Sequence, residues 1–168
     1  DIESGAVRSL PVPDVAHTWG FRLSHDGKRV AFLVESDRLQ SDIVANWVRL
    51  TVTDLDSGDT QTIGTTQPDG WELSLSWSPD GRCISWRSSS SGAPERLFIA
   101  QLGADAFFAE APLPDDMKEG HMLAAESAPP APPLWAADSA SFWVLGKNTL
   151  LHFSVDGARL PDIPLPAH

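Results

Sequence analysis

Any chemistry done by this chain would have to come from five histidines, one cysteine and an excess of carboxylates, and the spacing of these groups limits what each can do. Cys83 sits in an alternating apolar run where a small residue suits close packing, and nothing local activates it, so it reads as an inert core thiol. As a lone cysteine it also excludes an internal disulfide. His25 stands at a turn, His152 alternates in a strand-like run, His168 is terminal, and His17 and His121 fall in connecting segments. None has a partner at the spacing that metal ligation or a nucleophile and base require. A Gly-x-Ser-x-Gly elbow, His-Glu-x-x-His, a Gly-rich phosphate loop and Cys-x-x-Cys are all missing, so no catalytic set, cofactor or metal is expected.

The repeated acids Asp26, Asp80 and Asp138 are the remaining temptation, and their surroundings assign them to structure. They lie in Phe21-Arg22-Leu23-Ser24-His25-Asp26-Gly27-Lys28-Arg29-Val30-Ala31-Phe32, in Leu75-Ser76-Trp77-Ser78-Pro79-Asp80-Gly81-Arg82-Cys83-Ile84-Ser85-Trp86, and in Leu134-Trp135-Ala136-Ala137-Asp138-Ser139-Ala140-Ser141-Phe142-Trp143-Val144. Four positions past each acid stands a large apolar residue (Val30, Ile84, Phe142), and six past it another (Phe32, Trp86, Val144). Period-two alternation on both sides of an Asp-Gly or Asp-Ser corner predicts a tight hairpin of half-buried strands, with the acid capping its own turn through backbone N–H groups. The third corner, with Ser139 in place of glycine, is expected to tolerate a side chain.

The elements that carry these corners form a tandem repeat. After each hairpin comes a third apolar run (Val48 to Thr53, Arg96 to Ala100, Leu150 to Ser154), a turn containing Gly58, Gly103 or Gly157, and a fourth run; the three glycines stand 45 and then 54 residues apart. Four strands in about fifty residues is the spacing of a β-propeller blade. The opening residues 1–10 read like Asp54 to Ile63, so the chain begins with the end of a blade. The expected fold is all-β: a partial β-propeller of about three four-stranded antiparallel blades plus one extra strand, completed by other blades. Its parts are a blade end at 1–14, blades at 19–66, 71–113 and 134–166, and a loop at 114–133. Propellers close with about four to eight blades, so three blades leave two terminal faces, expected to expose residues such as Phe32 and Trp143 to a partner. That partner is either further blades or copies of this chain. Regular strand spacing also fits a two-sheet sandwich, the alternative architecture.

Two loops break the repeat and hold the candidate contact residues. The segment from Glu35 to Asn46 separates second and third strands by about a dozen residues where a hairpin needs about two to five. It carries Asp37, Arg38 and Asp42, groups suited to a substrate or a neighbouring domain. The segment from Pro114 to Pro133 carries His121, a possible helical turn at Asp115 to Leu123, and the stiff Ala128 to Pro133 run. The run Ser88 to Gly92 reads as a hairpin loop. A net charge of −11 with twelve scattered Lys and Arg excludes a nucleic-acid surface. No apolar run reaches the roughly 18 residues that span a bilayer, so no membrane partner is expected. The compartment, periplasmic or cytoplasmic, is left open.

Ser78-Pro79-Asp80-Gly81-Arg82, with Ser24 to Phe32 before it and Asp54-Leu55-Asp56-Ser57-Gly58 closing a blade, resembles the propeller repeats of the prolyl oligopeptidase family and of TolB-like proteins. The long charged loop at Glu35 to Asn46 is similar to one found in an early blade of bacterial dipeptidyl-, acylaminoacyl- and isopeptide-cleaving members. Ala137-Asp138-Ser139 departs from the repeat's Pro-Asp-Gly. The resemblance implies a non-catalytic propeller that caps an α/β-hydrolase domain, supplied elsewhere with its Ser, Asp and His, and that filters peptide substrates by size. No catalytic position of the family can be carried onto this sequence, and the acidic pair that holds a substrate amine in dipeptidyl peptidases has no match. The TolB-like alternative implies a binding or scaffold propeller without enzymatic activity.

Overall fold

A computed structural model describes residues 18–36, 47–66, 72–90, 93–103, 106–118, 131–146 and 148–166. It contains three four-stranded antiparallel sheets, each a meander. The first comprises β1 (Thr18–Leu23), β2 (Arg29–Ser36), β3 (Trp47–Asp54) and β4 (Thr60–Thr66). The second comprises β5 (Glu72–Trp77), β6 (Cys83–Ser90), β7 (Ala93–Gln101) and β8 (Phe107–Ala111). A one-turn helix α1 (Asp115–Lys118) precedes the third sheet of β9 (Leu134–Trp135), β10 (Ser141–Leu145), β11 (Thr149–Ser154) and β12 (Arg159–Pro164). The expected helical turn is thus present at its first four residues. The expected leading strand lies outside the described residues. Ser88 to Ser90, read as a loop, are instead paired in β6, so the β6–β7 turn is tighter than a serine run suggests.

The corners form as their composition dictates. Gly27 and Gly81 both take φ of 68°, and Ser139 takes 61°. Asp26 Oδ1 accepts from the Lys28 N–H at 3.0 Å, Asp80 Oδ1 from Arg82 at 3.0 Å, and Asp138 Oδ1 from Ala140 at 2.9 Å. In the first two corners a serine completes the lock: Ser24 and Ser78 hydroxyls donate to the same carboxylates at 2.6 Å while accepting the N–H of Arg29 and Cys83. The turns that follow the third strands use Gly58, Gly103 and Gly157, all at positive φ, as the repeat predicts.

The sheets stack face to face, and their innermost strands adjoin in sequence, β1 against β5 and β5 against β9. Ala31, Leu33, Leu50 and Val52 of the first sheet pack on Leu75, Trp77, Ile84, Trp86, Phe98 and Ala100 of the second. The other face of the second sheet, with Leu97, Ile99 and Ala111, packs on Phe142, Val144, Leu151 and Phe153 of the third. Trp86, Phe98 and Phe108 form a mutual stack with centroids 5.2 to 5.7 Å apart. Trp77, Trp86 and Trp135 all fill these junctions, which accounts for part of the tryptophan-rich composition. Four-stranded meanders stacked face to face with their first strands adjoining, the middle one packed on both faces, make a partial β-propeller.

Candidate functional site

The two ends of the blades differ in chemistry. At the corner end, Asp26, Asp54, Asp80 and Asp156 all have carboxyls held below the ordinary range. For Asp26 the main cause is the Ser24 hydroxyl, for Asp54 the backbone N–H of Ser57, and for Asp156 the Ser154 hydroxyl. Partial burial pushes Asp80 upward, but bonds from Ser78, Arg82 and Ser139 outweigh it. Asp26, Asp54 and Asp156 are spent on their own turns, and Asp80 on its own turn and on Ser139 of the neighbouring corner. Adjacent corners also touch: Ser139 Oγ accepts the Asp80 N–H at 3.0 Å, and the Trp77 indole donates to the Arg22 carbonyl at 2.9 Å. Ser139 is therefore more than a tolerated side chain. Its hydroxyl ties the third corner to the second, a role glycine could not fill.

At the opposite end, Arg87 and Glu95 form a buried ion pair, and Arg87 Nη1 donates to the Ala131 carbonyl at 3.2 Å. Ser74 reaches the same carbonyl at 3.5 Å. These groups anchor the far end of the connector that follows α1, and its near end is held by Met117 in the core between the second and third sheets. The last β2–β3 pair, Ser36 with Trp47, lies at the end away from the corner pair Arg29 with Asp54. Connections 37–46 and 119–130 therefore both leave from this end. Asp37, Arg38, Asp42 and His121, the candidate contact residues, lie in those connections and outside the described residues.

Among the described residues no group of three or more His, Cys, Asp or Glu is placed to hold a metal. Cys83 is buried, and desolvation, followed by the nearby Asp80 charge, pushes its thiol up to about 11. A thiol so placed is not a nucleophile at neutral pH.

The feature that local pattern reading located only in outline is the outward face of the third blade. Leu134, Leu145 and Ile163 are 61%, 47% and 49% exposed there. They flank Trp143, whose ring stacks on His152 at 4.7 Å and 9°. The outward face of the first blade differs. Phe32 is fully buried beside Val30, Val34 and Leu55, contrary to the expected exposure, and stacks on Phe21 at 5.4 Å. Among the described residues, Phe21 and Leu23 are the large apolar side chains open on that side.

No protein-family model matches the chain, and no curated protein matches it. Solved structures do. The chain is similar to the β-propeller domain of the Trilobed protease from Pyrococcus furiosus, whose topology is described as an open velcro, with TM-score 0.55 and 13% identity over 91% of this chain and 44% of that one. It also matches the periplasmic gluconolactonase of Pseudomonas aeruginosa, with TM-score 0.46 and 16% identity over 87% of this chain and 44% of that one. TolB from Acinetobacter baumannii matches with TM-score 0.34 and 15% identity over 86% of this chain and 42% of that one. The chain spans less than half the length of each of these three. The first likeness identifies the fold as that of a β-propeller, in agreement with the stacked sheets.

Proposed function

We propose that this chain is the non-catalytic part of a propeller that caps the α/β-hydrolase domain of a serine peptidase of the prolyl oligopeptidase type and filters its peptide substrates by size. The observation that carries the reading is the apolar face of the third blade, where Leu134, Leu145 and Ile163 stand exposed without a cover among the described residues, as in a propeller that further blades complete. The Ser-Pro-Asp-Gly-type corners fit both readings, and the long charged loop at Glu35 to Asn46, with the likeness in fold to a protease propeller, supports the peptidase assignment over a free-standing scaffold. In this reading the hydrolase domain faces the end from which connections 37–46 and 119–130 leave, and Asp37, Arg38, Asp42 and His121 contact substrate or that domain.

A fluorophosphonate probe tests the reading on the native particle that contains this chain. The 168-residue chain itself should remain unlabelled, and one serine outside it should be labelled. Labelling within the chain would overturn the non-catalytic assignment. A native particle with no reactive serine would overturn the peptidase assignment and leave the TolB-like scaffold reading.

A further inference from the structure

The inner strands of the three blades are not alike. β1 and β5 have six residues each, whereas β9 has two, Leu134 and Trp135, which pair with Trp143 and Phe142 of β10. The ladder stops there because Pro132 and Pro133 precede it, and proline has no N–H to donate. The Ala131 carbonyl, just before those prolines, is bound from the neighbouring blade instead, by Arg87 Nη1 at 3.2 Å and by the Ser74 hydroxyl at 3.5 Å. Arg87 is an unexpected residue for this place. Seven positions past its corner acid, the first blade has Leu33, fully buried in the first junction. The second blade has Arg87 at the same step, its side chain 6% exposed and paired with Glu95, which is 12% exposed. The other described ion pairs, Arg96 with Glu110 and Arg159 with Asp162, lie nearer the surface.

A buried ion pair adds little net stability over apolar residues of similar size, because desolvating both ions offsets their attraction. What it offers is direction: a guanidinium bonds a carboxylate and a carbonyl at once in a fixed planar geometry, which leucine cannot do. We infer that Arg87 is a positioning residue. Oriented by Glu95, it clasps the Ala131 carbonyl and seats the inner strand of the third blade against the second, in place of the ladder bonds that Pro132 and Pro133 cannot make. The inner strands of a propeller surround its central channel, so the clasp sets where the third blade stands at that channel. The inference goes beyond the proposed function and does not depend on the presence of a peptidase.

Hydrogen exchange read by mass spectrometry on the native particle tests it, with Arg87→Leu and Glu95→Leu made together so that no charge is left buried alone. The protected amides within residues 131–143 should exchange roughly tenfold faster or more, the factor set by loss of a charge-assisted hydrogen bond. Those within residues 83–101, in the blade that supplies the clasp, should keep their wild-type rates. Faster exchange in both segments, or failure of the double variant to assemble, would overturn the inference, because the pair would then hold the fold as a whole and not the strand. Unchanged exchange within 131–143 would overturn it as well, whatever happens within 83–101, since the third blade would then be seated without Arg87. Neither readout needs enzymatic activity, so the peptidase reading stands or falls separately.

Discussion

At the scale of single residues, Ser139 separates strain from bonding. It is a non-glycine residue at positive φ, a placement that costs roughly 1 to 2 kcal/mol, and it accepts a hydrogen bond from the neighbouring corner. Ser139→Ala keeps the strain and loses the bond, and should lower stability by about 1 kcal/mol in urea titration. Ser139→Gly loses the bond but relieves the strain, and should be close to neutral. Equal losses in the two variants would show that the bond to Asp80 dominates and the strain does not. Cys83 offers a second check. With its thiol pushed up to about 11 and its side chain buried, it should react with a thiol reagent at pH 8 only after denaturation. Rapid labelling of the native chain would show that the second corner opens.

At the scale of elements, the hairpins are held by carboxylates and the blades by close approach. Because Asp26, Asp54, Asp80 and Asp156 have folded values below 3.8, the ordinary value, their contribution to stability is complete above about pH 4 and is lost as the pH falls through the lowered values. Acid titration followed by circular dichroism should therefore show weakening that begins below pH 4, and Asp80→Asn should flatten it. A transition centred near pH 6 would implicate histidines instead. Between blades, β4 meets β8 through Gly64: a Cβ there would lie 2.4 to 2.9 Å from the Phe108 ring. Gly64→Ala should cost about 1 to 3 kcal/mol by overpacking, and Phe108→Leu in the same chain should recover part of that loss. Additive losses in the double variant would place Phe108 away from Gly64.

At the scale of the whole molecule, the exposed large apolar residues among those described divide between the two outward blade faces, three on the third blade and two on the first. The chain by itself should accordingly sediment as a mixture of associated species. Leu145→Glu with Ile163→Lys should reduce that association while leaving the melting temperature within a few degrees, because neither side chain belongs to the packed junctions. The same treatment of Phe21 and Leu23 should reduce it less. A monodisperse wild-type monomer would mean that three blades suffice and that the open face is stable in water.

The hairpins, the repeat and the propeller were legible in the sequence because they rest on local physics. Alternation sets which face a residue takes, and glycine with a short acid sets the corner, all within a dozen residues. Even the glycines of the later turns, from Gly58 to Gly157, could be located from that pattern. What lies between distant positions could not: Ser139 on Asp80, Gly64 under Phe108, and Arg87 with Glu95 holding Ala131 join residues 8 to 59 positions apart, or blades with no shared motif. The serine run at Ser88 to Ser90 also read wrongly, because burial and pairing with β7 override the weak strand preference of serine. Loop composition singled out Asp37, Arg38, Asp42 and His121, and charge alone does not fix where such groups meet a ligand. Counting blades was enough to expect an open face on the third blade with Trp143 in it, but that Leu134, Leu145 and Ile163 stand exposed there while Phe32 on the first blade is buried was decided only in three dimensions, since whether an apolar strand residue is covered depends on what lies above it, and no pattern within the strand encodes its neighbour.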